Sequence, residues 1–144
     1  MIQFPNFTLQ ELLESDTARR KGIANYPSFE VVENLAELCR NFLQPLRDAW
    51  GSGIHVNSGY RCPELNKAVG GVETSVHMKG WAADLVPSNG RFEDFVKFVL
   101  AWVADRRCPF DQLIIESQGG SRWLHVGLRD NYGHQRHQIK VIDM

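Results

Sequence analysis

Three side chains in this 144-residue chain have the types and spacing of a metal site. In Ser75-Val-His77-Met-Lys-Gly80-Trp-Ala82-Ala-Asp84, a histidine and an aspartate stand seven residues apart with a glycine between them. Glycine reaches backbone conformations closed to other residues, so the chain can turn at Gly80 and bring a loop histidine toward a strand aspartate. Zinc takes imidazole nitrogen and carboxylate oxygen at roughly 2.0–2.2 Å, and a catalytic zinc keeps three protein ligands and one open position for water. The third ligand should come from a neighbouring strand, and His125 in Arg122-Trp-Leu-His125-Val-Gly-Leu128 answers that need. In an extended chain Trp123, His125 and Gly127 share one face, while Leu124 and Val126 point into a core. Asp84 lies in an otherwise apolar run, where a carboxylate without a partner would be costly. One zinc ion held by His77, Asp84 and His125 accounts for it.

Those ligands need elements to hold them. Thr8 followed by Glu11 reads as a capping box that opens a short helix over Leu9–Ser15. Asn25-Tyr-Pro-Ser28 breaks the chain, and Ser28 caps a long helix running to about Trp50. Its Val31, Val32, Leu35, Leu38, Cys39, Phe42, Leu43 and Leu46 recur at helical spacing as a core stripe. Pro45 inside that stripe predicts a kink or a break near Asn41. After a turn at 51–53, Ile54, Val56 and Ser58 alternate with His55, Asn57 and Gly59 as a strand. Pro63 starts a short helix closed by Gly70 and Gly71. Residues 81–86 read as a buried strand ended by Pro87, Ser88 and Asn89. Phe92, Phe95, Val96, Phe98, Val99 and Trp102 mark a second long amphipathic helix. Strands follow at 112–116, 122–128 and 138–143, the first two joined by a turn around Gly119 and Gly120. The expectation is an α+β fold, with helices packed on a small, mainly antiparallel sheet and a crossover helix, in one domain over residues 1–144.

Composition narrows the function classes. The chain is 43% hydrophobic and 23% charged, with a formal net charge of -1. That balance supplies neither the basic face that captures nucleic acid nor the polybasic segment that binds an anionic membrane. Arg19-Arg-Lys21 and Arg106-Arg107 read as solvated faces. The three cysteines, Cys39, Cys62 and Cys108, form no Cys-x-x-Cys pair, so a thiolate zinc cluster is not expected and all three read as reduced, mostly buried side chains. The opening residues lack a basic region followed by an apolar run, and no stretch approaches the ~20 apolar residues of a membrane span. The chain is therefore expected to be made in the cytoplasm, as a monomer, with no nucleic-acid or membrane partner. His55, His134 and His137 sit in no motif, although the last two could flank a cleft.

The pattern Ser-x-His-x-x-Gly-x-Ala-x-Asp at 75–84, followed downstream by Trp123-x-His125-Val-Gly127, resembles the M15 group of zinc peptidases. These are D-Ala-D-Ala carboxypeptidases and L-Ala-D-Glu or related endopeptidases that cut cell-wall peptides. Ser58-Gly-Tyr-Arg61, with Asn66 after it, also matches that group, and residues 8–28 are similar to its small members from phages and prophages. The resemblance implies a fold like that of the hedgehog signalling domain and the D-Ala-D-Ala peptidases, with the metal triad carried onto His77, Asp84 and His125. It implies that Arg61 reaches the substrate, as a grip on a carboxylate or as support for the developing oxyanion. The implied partner is a peptidoglycan peptide, met at the cell wall after release from the cell. Ser75, Ser58 and Trp123 are expected to support a ligand or touch the substrate.

One position departs from the group. Several members carry an acidic general base three residues before the last metal histidine, where this chain has Arg122, which cannot accept a proton at neutral pH. The nearest upstream carboxylate is Glu116, and some relatives place a glutamate on that preceding strand. A hairpin around Gly119–Gly120 would set Glu116 near Trp123, beside His125. Glu116 is thus the expected base. Arg122 motivates an alternative, a zinc-stabilised binding module without catalysis. A serine hydrolase using Ser58 or Ser75 is disfavoured, because no Gly-x-Ser-x-Gly elbow is present.

Overall fold

Thr8 begins the first helix as its sequence suggests. In the computed structural model, which describes residues 4–144, the Thr8 hydroxyl accepts from the Glu11 N–H at 3.1 Å. The first three residues of the opening segment, read as lacking a basic region and an apolar run, lie outside the described residues. Helix α1 (Leu9–Leu13) is followed at once by α2 (Asp16–Lys21), which the sequence reading did not resolve. Ser15 caps α2 by accepting from the Ala18 N–H, and Gly22 closes it in the left-handed conformation with φ 65°.

The long helix after Ser28 forms in three parts. Helix α3 (Phe29–Leu38) passes into a π-helical turn over Cys39–Leu43 and continues as α4 (Gln44–Trp50). Pro45 lacks the N–H that would bond to Asn41, and its ring would press on that carbonyl. The widened turn, in which the Gln44 N–H bonds to the Cys39 carbonyl, carries the helix past the proline. The expected break near Asn41 is therefore a change of helical pitch within one helical run.

The remaining elements are β1 (Ile54–Ser58), α5 (Pro63–Ala68), a 3-10 turn (Val76–Lys79), β2 (Ala82–Pro87), α6 (Phe92–Arg106), β3 (Gln112–Gln118), β4 (Ser121–Gly127) and β5 (Gln138–Asp143). The five strands form one sheet in the order β1-β2-β4-β3-β5. All neighbours are antiparallel except β3 and β5, which run parallel. Strands β2 and β3 flank β4 and share a direction, so α6 is the crossover between them. The fold is α+β, as the sequence indicates.

Alternation along the strands divides the sheet into two faces. Val56, Ala83, Leu85, Leu113, Leu124 and Val126 join Leu35, Leu38, Phe42, Phe95 and Val99 in one buried core. Burying each large apolar side chain there contributes roughly 1.5–3 kcal/mol. The opposite face carries Asp84, Trp123, His125 and Glu116 at intermediate burial, and it forms the floor of the site.

Candidate metal centre

The backbone brings the three expected ligands together from three separate elements. His77 sits in the 3-10 turn, held by Ser75, whose hydroxyl accepts from the His77 N–H at 3.2 Å. Gly80 closes that turn with φ 79°, and a Cβ there would meet the Val31 carbonyl at 2.9 Å. Both demands admit only glycine. Asp84 and His125 are direct partners across the β2–β4 ladder, so their side chains leave the sheet side by side.

Within the cluster, Asp84 Oδ1 lies 2.9 Å from His125 Nδ1 and 3.3 Å from His77 Nε2. The His77 and His125 rings stand 5.1 Å apart between centroids. His77 Nδ1 lies 2.7 Å from the Gly59 carbonyl. A carbonyl only accepts, so Nδ1 carries the proton and Nε2 turns its lone pair toward Asp84. Two acceptors facing each other at that distance need a cation or a proton between them. Two imidazole nitrogens and one carboxylate oxygen are also the donor set zinc prefers. The residues present therefore fit a metal ion, and among the described residues His77, Asp84 and His125 form the cluster that could hold one.

Electrostatics point the same way. Burial opposes ionisation of Asp84, but the two imidazoles, through their charge and their hydrogen bonds, hold its carboxyl below the usual carboxylate range. Burial likewise opposes protonation of His125, yet the bond to Asp84 and the charges of Asp84 and Glu116 raise its pKa above the ordinary value. The pocket is tuned to keep a carboxylate anionic and a positive charge beside it.

Glu116 stands where the hairpin argument puts it. It pairs with Trp123 across β3 and β4, accepts from the Trp123 indole N–H at 3.0 Å, and has Oε1 3.8 Å from His125 Nδ1. Arg122 projects from the other face of β4, where its guanidinium lies 4.7 Å over the Phe92 ring and 3.5 Å from Glu93. Strand alternation takes it out of the site, and Glu116 is the carboxylate that remains there.

Ser58, Arg61 and Ser75 complete the surroundings. Arg61 donates to the Ser75 hydroxyl at 3.2 Å, while its buried Nε has no partner among the described residues. Burial lowers its pKa, and the nearby Asp84 and Glu116 carboxylates partly offset that; arginine stays charged at neutral pH regardless. Ser58 is the cross-strand neighbour of Asp84 and lines, with Arg61, a cleft of about 230 Å³ extending between α2 and α5. Neither serine pairs with an imidazole nitrogen: the Ser75 hydroxyl bonds Arg61 and the His77 backbone, and both histidine rings are engaged with Asp84 and Gly59. The serine-hydrolase reading has no Ser–His dyad to rest on.

Sequence reasoning missed the part played by Gly59 and Asn25. A Cβ on Gly59 would come within 2.3 Å of the Leu12 carbonyl, and the Gly59 carbonyl is what orients His77. Asn25 donates to the carbonyls of Leu13 and Tyr60 and accepts from the Cys62 N–H, clamping the loop that carries Arg61. An asparagine in a break between helices signals a turn, and nothing local marks it as a long-range clamp. Of the other histidines, His55 is exposed on β1, His134 pairs with Asp130 at 3.1 Å, and His137 packs 5.0 Å from the Phe110 ring. None of the three belongs to the cluster. Trp81 lies at the margin of the core beneath Arg129. Cys39, Cys62 and Cys108 are free, as expected.

A two-histidine, one-carboxylate cluster with a further carboxylate beside it, on the open face of a sheet, is the arrangement of a metal-dependent hydrolase. The profile of the Peptidase M15 family matches residues 5–126, and the chain belongs to that family. Among curated proteins, none matches the chain. Among the described residues, no helix is long and apolar enough to cross a membrane.

Proposed function

We propose that the chain is a zinc-dependent peptidase that hydrolyses peptide bonds in peptidoglycan stem peptides or cross-links, as a carboxypeptidase or an endopeptidase. Family membership supports the peptidase class. The observation that carries the mechanism is Glu116, held by Trp123 with Oε1 3.8 Å from His125 Nδ1. Zinc bound by His77, Asp84 and His125 would supply Lewis acidity and lower the pKa of a coordinated water to about 7. Glu116 is the general base. Its Oε1 is occupied by the indole N–H, and among the described residues Oε2 has no hydrogen-bond partner, which leaves that oxygen to take the proton and pass it to the leaving amine. Arg61, with one arm fixed on Ser75, presents its other arm to a substrate carboxylate or to the developing oxyanion. The resemblance to small phage and prophage members extends the reading to an endolysin or wall-remodelling enzyme, monomeric and acting at the wall after release.

The test is digestion of purified cell walls by the zinc-loaded protein, with and without a chelator, followed by mass spectrometry of the released fragments. New amino and carboxyl termini that vanish with the chelator are the expected result. A zinc-loaded protein that releases none sinks the reading. Glu116→Gln is expected to keep zinc and lose roughly 10²–10⁴-fold in rate, the usual contribution of a general base. Equal activity of that variant would remove Glu116 from the mechanism. A wild type that binds stem peptides without cutting them would leave the non-catalytic module.

A further inference from the structure

One cross-strand row runs the full width of the sheet. Ser58 pairs with Asp84, Asp84 with His125, His125 with Ile114, and Ile114 with Lys140 on β5. Partners in a ladder project from one face, so Lys140 stands on the face that carries the metal ligands. Beside it on that face is Ile142, which pairs with Glu116 and is 39% exposed. Strands lie about 4.8 Å apart, so two steps separate His125 from Lys140 by about 10 Å along the floor of the site.

Lys140 is exposed, and among the described residues no carboxylate lies within ion-pairing distance of it, Glu116 on the neighbouring strand included. Asp143, the acidic residue of its own strand, projects from the other face and accepts from the Ser117 hydroxyl at 3.1 Å. Lys140 thus stands as a cation at the β5 end of the row, while a second cation, Arg61, lies on the loop after β1, shares a cleft with Ser58 and sits near enough to Asp84 and Glu116 to feel their charges. Strand β5 also lies past residue 126, where the family match stops, so this end of the floor is contributed by the chain's own C-terminal sequence.

We propose that Lys140 is a specificity-determining residue that holds a substrate carboxylate about two to three residues from the bond cut, the number of extended residues that spans about 10 Å. The substrate class is then a peptide with carboxylates on both sides of the scissile bond, one toward Arg61 and one toward Lys140. Apolar contact with Ile142 would seat the intervening chain. This rests on the peptidase reading above.

The test uses zinc-loaded protein and synthetic stem peptides in which each carboxylate in turn is replaced by its primary amide. Wild type is expected to lose about threefold to fivefold in kcat/KM, through KM, on one of these amides, the scale of an exposed ion pair. Lys140→Gln should show that loss on the parent peptide and no further loss on that amide. Raised salt should shrink the difference. Lys97→Gln, on the exposed side of α6, should discriminate as wild type does. Unaltered discrimination in Lys140→Gln overturns the proposal. If wild type cuts none of the peptides, the peptidase reading falls, and calorimetry decides the role of Lys140 separately. Zinc-loaded Glu116→Gln should then bind the parent peptide more tightly than its amide, with that difference gone in the double variant with Lys140→Gln. Equal affinities overturn the proposal.

Discussion

Asp84 is the residue at which a proton and a bound metal ion would compete. Its Oδ1 lies 2.9 Å from His125 Nδ1, close enough to share a proton when no cation is present. In the metal-free protein the resulting carboxylate–imidazolium pair stabilises the fold. Asp84 has a folded pKa below its ordinary 3.8, so its contribution is present above that value and lost as the pH falls toward the folded pKa. His125 has a folded pKa above its ordinary 6.5, so its contribution is complete below 6.5 and lost as the pH rises through the folded pKa. Metal-free protein should therefore be most stable between these two ordinary values, and thermal melts at a series of pH values check it. A melt midpoint still rising between pH 7 and 9 without metal would contradict the pairing. Zinc affinity should run the other way and increase with pH until His125 has lost its proton, because the ion must displace it. Trp123 permits a gentler test of Glu116 than removing the carboxylate. Trp123→Phe deletes the 3.0 Å indole bond and keeps an aromatic ring, and a bond to a charged group is worth about 1.5–3 kcal/mol. The variant should lose about tenfold or more in kcat with KM little changed; a pure KM effect would make Trp123 a substrate contact instead.

At the scale of elements, the site depends on a loop that other elements clamp. Asn25 sits between α2 and α3, is 8% exposed, and ties Leu13, Tyr60 and Cys62 together through three hydrogen bonds. Asn25→Ala would strand the buried Tyr60 carbonyl, worth about 1–3 kcal/mol when left unsatisfied, and would unpair the part-buried Leu13 carbonyl and Cys62 N–H. It should lower the denaturation midpoint and, by loosening the loop that carries Arg61, raise KM. An unchanged KM in a destabilised variant would show that the loop holds its shape without the clamp. This layer was only partly legible in the sequence. Capping residues announced α1 and α3, alternation announced β1 and the face that His125 shares with Trp123 on β4, and an apolar run announced β2, because caps, periodicities and runs are local properties. The convergence of His77, Asp84 and His125 could be anticipated because motif spacing and an aspartate in an apolar run are also local. Helix α2 escaped because its cap, Ser15, falls inside what reads as the end of α1. The π-helical turn escaped because a proline announces disruption without saying how the chain absorbs it. The parallel pairing of β5 with β3, and hence the row ending at Lys140, is a matter of tertiary register that no window of sequence contains.

For the whole molecule, the decisive property is that the three donors are brought together only by folding. His77, Asp84 and His125 come from a 3-10 turn and two strands, and the two histidines are far apart along the chain. The unfolded chain can offer no comparable site, so the free energy of metal binding is largely free energy of folding. A ligand that binds only the folded state stabilises it by about 4.1 kcal/mol when present at 1,000 times its Kd. For a domain near this size each kcal/mol moves the melting point by roughly 2–4 °C, so zinc at that excess should raise Tm by roughly 8–16 °C. The increment should grow with the logarithm of zinc concentration and disappear with a chelator. It should also be largest above neutral pH, where the proton shared by Asp84 and His125 no longer stabilises the empty site. Asp84→Ala should abolish the increment, because two imidazoles without the carboxylate neither complete the donor set nor balance its charge. A zinc-induced shift of the same size in Asp84→Ala would mean that the metal is held elsewhere, and the pairing of Asp84 with two histidines would then be an ion-pair network rather than a metal centre.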